Sequence, residues 1–177
     1  MQLNLVPHAT TRPASPAFKV WASVDHVASL GATATTNIWF GVGAPADRFL
    51  IPKSAEPGRI DELWRTTCFE AFLRGEEDAY REWNFSPSGD WAAYDFAAYR
   101  EGSGEPEVAA PYIRMEDNMT WWAVGATIAT GAEQSWHLGL SAVLEEKDGT
   151  KSYWALAHSN PDKPDFHLAD CFTAKLA

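Results

Sequence analysis

The sequence predicts an all-β fold, an antiparallel β-sandwich with little helix, on three observations. Apolar and polar residues alternate with period two along most of the chain. Strand-like runs recur every 10 to 20 residues, separated by hairpin turns rich in Gly, Pro, Asp and Ser. No long apolar stripe at i, i+3, i+4 is present to support amphipathic helices.

The runs follow in order. Phe18 to Asp25 and Thr35 to Val42 read as two strands, with the turn between them around Gly31. A Pro/Gly/Asp-rich loop from Pro45 to Asp61 is broken by a short apolar piece, Arg48 to Ile51. Thr66 to Arg74 is a strand by composition, closed by the acidic turn Gly75-Glu76-Glu77-Asp78. Tyr80 to Phe85 and Trp91 to Tyr99 flank Ser86-Pro87-Ser88-Gly89, where Pro presets φ and Gly can take φ > 0, so this pair is a hairpin. A Gly/Glu/Pro loop spans Glu101 to Pro111. Met119 to Ala129 and Trp136 to Glu146 are further strands, joined through Thr130-Gly131-Ala132-Glu133. Lys147-Asp148-Gly149-Thr150 is a second hairpin turn, leading into Tyr153 to Ala157. The Pro-punctuated segment Asn160 to Pro164 precedes a C-terminal run, Phe166 to Leu176.

At 177 residues the chain is long enough for one domain with a sizeable core, so a single domain over residues 1–177 is expected. The hydrophobic share of 46% and charged share of 21% exclude wholesale disorder. A formal charge of −10 without a Lys/Arg cluster repels phosphate backbones, so neither nucleic acid nor an anionic membrane is an expected partner. The longest weakly polar run, Met119 to Ala132, is too short to span a bilayer as a helix. The N-terminus lacks a basic start and an apolar stretch, and a cytoplasmic location is expected. Cys68 and Cys171 are expected as reduced core thiols, with a disulfide as the alternative.

Three places carry residues suited to chemistry. Alternation puts Cys68, Glu70 and Phe72 on one face of their strand, so Glu70 is a carboxylate between apolar neighbours. In the next strand Glu82, Asn84 and Ser86 share a face opposite Trp83 and Phe85. If the strands are neighbours, Glu70, Asn84 and Ser86 form one polar patch; the plainer alternative leaves Glu82 and Asn84 solvated. The C-terminal stretch gathers His158, Asp162, Lys163, Asp165 and His167 around two prolines, which stiffen the loop that holds them. Its residue types allow a zinc or iron site from His158, Asp165 and His167, but no tight ligand spacing supports one and no metal is expected. A buried Asp165 or His167 bonding backbone amides would instead pin the last strand, and a Glu70–Asp165 pair would suit glycoside hydrolysis only at a suitable separation. Finally, most of the nine tryptophans belong in the core, whereas Trp64 and Trp91 sit at loop–strand junctions where a ring face can be presented to a sugar.

The strings LWRTTCFEAFLR, YREWNFSPSGDWAAYDF and KPDFHLADCF, within Asp61 to Tyr99 and Tyr153 to Phe172, resemble bacterial DOMON-like proteins of the family 9 carbohydrate-binding-module type. The resemblance implies a β-sandwich that binds sugars or haem, some members also holding structural calcium. In the sugar binders two aromatic rings sandwich a terminal sugar while Glu, Gln or Asn bond its hydroxyls. By motif position Glu70 matches the acidic residue, and Asn84 and Ser86 match the following strand; Trp64 and Trp91 are assigned to the rings by location. Haem is not expected, because neither Met115 nor Met119 announces a pairing with a histidine. Sugar-binding modules of this type are usually secreted beside catalytic domains, and no export signal is visible here.

The expected function is a non-catalytic binding protein, monomeric or homodimeric, for a carbohydrate or small polar sugar-like ligand. Its expected ligand-binding residues are Trp64, Glu70, Asn84, Ser86, Trp91, His158, Lys163, Asp165 and His167. No cofactor is expected beyond the calcium that the resemblance admits. The alternatives are a small hydrolase-like enzyme that uses Glu70 with the His158–His167 loop, or an interaction domain without a small ligand.

Overall fold

The structure is a computed structural model that describes residues 1–11, 18–27, 33–75, 77–131 and 136–176. Its strands are β1 (Gln2–Pro7), β2 (Val20–Val27), β3 (Thr33–Val42), β4 (Cys68–Arg74), β5 (Tyr80–Phe85) and β6 (Trp91–Ala98). They continue with β7 (Glu101–Gly104), β8 (Tyr112–Asp117), β9 (Trp122–Gly131), β10 (Trp136–Glu145), β11 (Lys151–Ala155) and β12 (Ala174–Leu176). All pairings between them are antiparallel, and the only helical pieces among the described residues are three short 3-10 turns.

The strand order is β7-β6-β5-β4-β10-β11-β1-β2-β3-β9-β8, with β12 beside the first residues of β10. β1 joins two layers, because Gln2 to Leu5 pair with β2 while Val6 and Pro7 pair with β11. The inward faces meet in one core. Phe40 of β3 stacks on Phe69 of β4 at 5.1 Å, and Trp122 of β9 meets Phe69 edge-on at 5.5 Å. The expected antiparallel β-sandwich is what forms.

Alternation places residues as expected on β5, whose Trp83 and Phe85 enter the core while Glu82 and Asn84 point the other way. Other boundaries move. The layer-joining strand β1 and the edge strands β7 and β8 were not foreseen, β7 arising inside the expected loop Glu101 to Pro111. β9 opens at Trp122 rather than Met119, because the Asn118 side chain accepts hydrogen bonds from the amides of Thr120 and Trp121 and holds that stretch as a turn. β2 runs from Val20 to Val27, two residues past Phe18, and the C-terminal run is irregular until β12. The turn at Gly31, Glu76, and Ala132 with Glu133 lie outside the described residues. Cys68 and Cys171 are both buried free thiols, as expected, and the alternative disulfide does not form.

What positions the site is a second, smaller core on the outer side of β4, β5 and β10. Phe72, Tyr80, Cys171 and Phe172 are buried there, with Phe96, Phe166 and Leu168 against them. Phe172 lies over Gly139 of β10 and stacks on Phe72 at 5.7 Å. A Cβ on Gly139 would collide with Cδ1 of the Phe172 ring and stand 2.8 Å from its Cε1 and 3.3 Å from the Phe72 Cβ. The C-terminal segment is thus seated on a glycine-sized gap in the sheet.

Gly139→Ala is expected to destabilise the protein by about 1–3 kcal/mol through overpacking. Adding Phe172→Ala makes the alanine nearly neutral, a coupling that urea melts of the four variants read directly. Additive losses would show that the segment is not seated there.

Candidate functional site

On the outer face of the β4–β5–β10 layer the register brings polar residues side by side. Ser141 of β10, Glu70 of β4 and Asn84 of β5 stand opposite one another across three adjacent strands. Glu82 lies two residues from Asn84, diagonal to Glu70, and faces Tyr94 of β6. Small residues flank the row, with Ala155 opposite Ser141 and Ala92 opposite Asn84.

This row lies at one wall of a groove of 1510 Å³ lined in part by Glu70, Glu82, Tyr94, Phe96, Arg100 and His167. That volume exceeds the roughly 300–1,000 Å³ of enclosed small-molecule sites, because the groove is open to solvent rather than closed over. Trp64, Tyr153 and Phe166 add aromatic surface to its sides. Trp64 is 47% exposed in a 3-10 turn, Leu63–Arg65, with the Arg65 guanidinium 5.5 Å from its ring centroid, so part of the ring stays open to a ligand.

Both carboxylates are out of water, Glu70 at 3% and Glu82 at 5% exposure. The Ser141 hydroxyl donates to Glu70 Oε2 at 2.6 Å, and the Asn84 amide donates to Glu82 Oε1 at 2.6 Å. Asn84 Oδ1 in turn faces the Cys68 thiol at 3.7 Å. Glu82 Oε2 lies 3.6 Å from His167 Nε2, and His167 Nδ1 is hydrogen-bonded to the Tyr80 hydroxyl at 2.8 Å. Burial first, and then the charge of Glu82, pushes the Glu70 carboxyl up to about 8, against the Ser141 hydrogen bond and Arg100. Burial also raises Glu82, against the Asn84 hydrogen bond and Arg100. His167 is driven down to about 4 by burial and by Arg100, with Asp165 opposing.

Arg100 ties the groove to the C-terminal segment. Its guanidinium meets Asp165 at 3.0 Å, and Tyr99 donates to the same carboxylate at 2.6 Å. Burial works against the Asp165 charge, but the bonds from Tyr99 and Arg100 outweigh it and hold its carboxyl below the usual range. Arg100 and Glu62 are the two non-glycine residues with positive φ among the described residues, at 55° and 61°. Both line the groove. Such backbone costs energy and persists where surrounding contacts enforce it, often at functional sites.

Of the residues singled out from sequence, Trp64, Glu70 and His167 line the groove, and Asn84 stands directly behind its wall. Asp165 supports the groove from behind by holding Arg100 and accepting the His167 amide at 3.2 Å, which is the pinning role. Ser86 does not join Glu70. It closes its own turn, where its hydroxyl accepts from Ser88 Oγ at 2.7 Å. Trp91 is a core residue at 8% exposure, packed on Trp83 at 5.9 Å and covered by Arg59 at 5.2 Å, so no ring face is free. His158 is turned away from the groove, with Nε2 on the Val6 carbonyl at 2.9 Å and its ring against His8 at 4.9 Å. Lys163 is exposed outside the groove lining, in a turn where its amide bonds Asn160 Oδ1. Met115 packs on the main core and Met119 is 89% exposed.

Glu82, Tyr94 and Arg100 complete the site without having been singled out as binding residues. Glu82 was legible on the face of Glu70 but not as buried, because its burial depends on a segment some 85 residues further along the chain. Arg100 follows β6 directly, and its left-handed backbone leaves no mark in an Arg-Glu-Gly sequence.

No protein-family model and no curated protein matches the sequence. Among solved structures, the fold is similar to that of a putative carbohydrate-binding protein from Bacteroides uniformis ATCC 8492, with TM-score 0.61 and 10% identity over 98% of this chain and 84% of that one. At that identity the likeness is one of fold alone.

The buried acid predicts a stability profile. Glu70 holds its proton more tightly folded than unfolded, so its contribution is full below about 4.5 and is lost as pH rises to about 8. His167 prefers to be neutral in the fold, so its contribution is present above 6.5 and is lost as pH falls towards about 4. Between 4.5 and 6.5 the two slopes oppose each other, which leaves the net loss between 6.5 and 8. Unfolding free energy from urea melts is expected to fall there by up to about 2 kcal/mol, and Glu70→Gln to flatten the curve. An unchanged slope in that variant would place the titrating group elsewhere.

Proposed function

We propose that this chain is a non-catalytic binding protein for a carbohydrate or a small sugar-like polar ligand, held in the groove beside Glu70 and Glu82. One observation carries the reading: a row of buried, mutually oriented hydrogen-bonding groups opens onto a groove with aromatic walls. Sugars present apolar C–H faces and a rim of hydroxyls, so they need both kinds of surface at once. Trp64 and Tyr153 offer ring faces, while a Glu70 oxygen not used by Ser141 is free to accept a hydroxyl. The description of the fold neighbour as a carbohydrate-binding protein agrees with this use of the fold. So does the resemblance to DOMON-like proteins of the family 9 module type, which rests on the strings that build β4, β5 and the C-terminal segment. Fold likeness does not determine ligand, and the site residues therefore carry the argument.

Binding follows from preorganisation. Asn84 and Ser141 fix the two carboxylates before a ligand arrives, and Tyr80 fixes His167. A ligand then loses little free energy to ordering the protein side. Glu62 and Arg65 pair within the loop before β4 at 2.6 Å, and Arg81 pairs with Asp95 across β5 and β6 at 2.6 Å.

An enzymatic reading keeps one specific support, since Glu70, Glu82 and His167 share the groove and their types fit proton transfer. It loses His158, which faces away, and Asp165, which is committed to Arg100. Hydrolysis of nitrophenyl glycosides that disappears in Glu70→Gln would favour it over binding alone.

A thermal-shift series with mono- and disaccharides tests the proposal. A ligand at 100 times its Kd stabilises by about 2.7 kcal/mol, which is a rise of roughly 5–10 °C for a chain of this size. Glu70→Ala is expected to abolish the shift, and Trp64→Ala to weaken affinity by roughly tenfold, or about 1.4 kcal/mol. A shift that survives both substitutions, or no shift with any sugar, would overturn the proposal.

A further inference from the structure

We infer that the groove selects a ligand carrying a protonated amine among hydroxyls, an amino sugar being the simplest, and seats that amine against Glu70 and Glu82. The inference deepens the carbohydrate reading and rests on it.

The geometry begins with what the two carboxylates lack. Of the other acids lining the groove, Glu62, Asp95 and Glu105 each face an arginine, and Asp61 accepts the Tyr94 hydroxyl at 2.7 Å. Arg100 is held by Asp165 at 3.0 Å, Arg65 by Glu62 at 2.6 Å, and Lys151 lies 3.7 Å from Glu145 while donating to the Arg65 carbonyl. No Lys or Arg among the described residues pairs with Glu70 or Glu82. Their partners are neutral: the Ser141 hydroxyl, the Asn84 amide and the His167 ring. A buried carboxylate next to another, without a cation, is normally disfavoured unless a proton or an incoming charge compensates it. Glu70 has one oxygen on Ser141, and the other is unbonded in a residue that lines the groove.

The remaining charged and titratable neighbours do not supply that compensation. Burial and the charge of Glu70 keep Cys68 a thiol, and burial and Arg100 keep His167 neutral. Tyr94 on β6 is raised by burial and by its bond to Asp61, and Tyr80 on β5 by burial, so both stay neutral phenols. Arg100 lowers both acids at a distance while its own hydrogen bonds go to Asp165. An ammonium group would meet two acceptor carboxylates in a low-dielectric wall, with three N–H donors to distribute between them. A neutral hydroxyl in the same place gains a hydrogen bond but no charge.

The step balances as a proton exchange. The ligand's ammonium binds, the protonated carboxyl gives up its proton to solvent, and an ammonium–carboxylate ion pair takes the place of the neutral acid. Affinity for the amine therefore rises with pH while the carboxyl pair titrates, by at most about tenfold per pH unit for one proton released.

The test is calorimetric titration of the full chain with glucosamine, N-acetylglucosamine, glucose and ethanolamine, between pH 6 and 7.5 and in two buffers of different ionisation enthalpy. The expected result is tighter binding of glucosamine than of glucose or N-acetylglucosamine, with a proton released to buffer. In Glu70→Gln and Glu82→Gln, checked for folding by circular dichroism, the glucosamine preference and the proton release are expected to disappear. Equal binding of glucose and glucosamine without proton release would overturn this inference and leave the carbohydrate reading standing. Ethanolamine binding as tightly as glucosamine would support the amine preference and overturn the carbohydrate reading. No binding of any of the four would overturn both.

Discussion

A β-sandwich strand ordinarily needs one dry face, but β4, β5 and β10 bury both. Their inner residues fill the inter-sheet core, and their outer residues lie beneath the C-terminal segment. That second burial governs the site. Polar side chains on the outer face cannot rely on water, so each must find a partner in the sheet or in the covering segment. Ser141, Asn84 and His167 supply those partners, and the two glutamates are left as the groups whose charge is not compensated. Moving this face into solvent would remove both the network and the raised carboxyl.

The covering segment depends in turn on packing at a few places. Phe172 over Gly139 seats it, and Asp165 between Tyr99 and Arg100 fixes its approach to the groove. Tyr80 connects the two parts, because its hydroxyl meets His167 on one side and accepts the Arg100 amide at 3.1 Å on the other. The left-handed backbone at Arg100 is held by this arrangement rather than by local preference. Stability and recognition therefore share residues, and a change at Tyr80 would disturb the fold of the groove before any ligand contact.

Much of this was legible from alternation. The facing of Cys68, Glu70 and Phe72 against Phe69 and Ala71, and of Glu82 and Asn84 against Trp83 and Phe85, needs only the period of two, and both strands obey it. The strand pairs joined by short Gly-containing turns were equally plain. Edge strands such as β8 were not, because Tyr112 to Asp117 turns only Ile113 and Met115 toward the core and carries charges on its largely exposed face. The tryptophans show the limit of a rule about position. Trp64 and Trp91 both stand at loop–strand junctions and both carry an arginine over the ring, yet packing on Trp83 buries the second while the first keeps 47% exposure. Likewise His158 and His167 are nine residues apart on one loop, and opposite ends of that loop meet different strands: β1 receives the first, β5 the second. Such contacts are long-range and leave no trace in local spacing.

Protonation of a carboxyl pair in an otherwise hydrogen-bonded wall governs the site. It is tested most directly by NMR titration of the side-chain carboxyl carbons in 13C-labelled protein, with Glu70 and Glu82 assigned through their Gln variants. The structure predicts that the Glu70 signal titrates far above the ordinary carboxylate range, near 8, and that Glu82 is also raised and shifts when Glu70 is replaced. Two independent titrations near the usual glutamate value of about 4.3 would contradict the central claim, because the wall would then hold two ionised, water-compensated carboxylates.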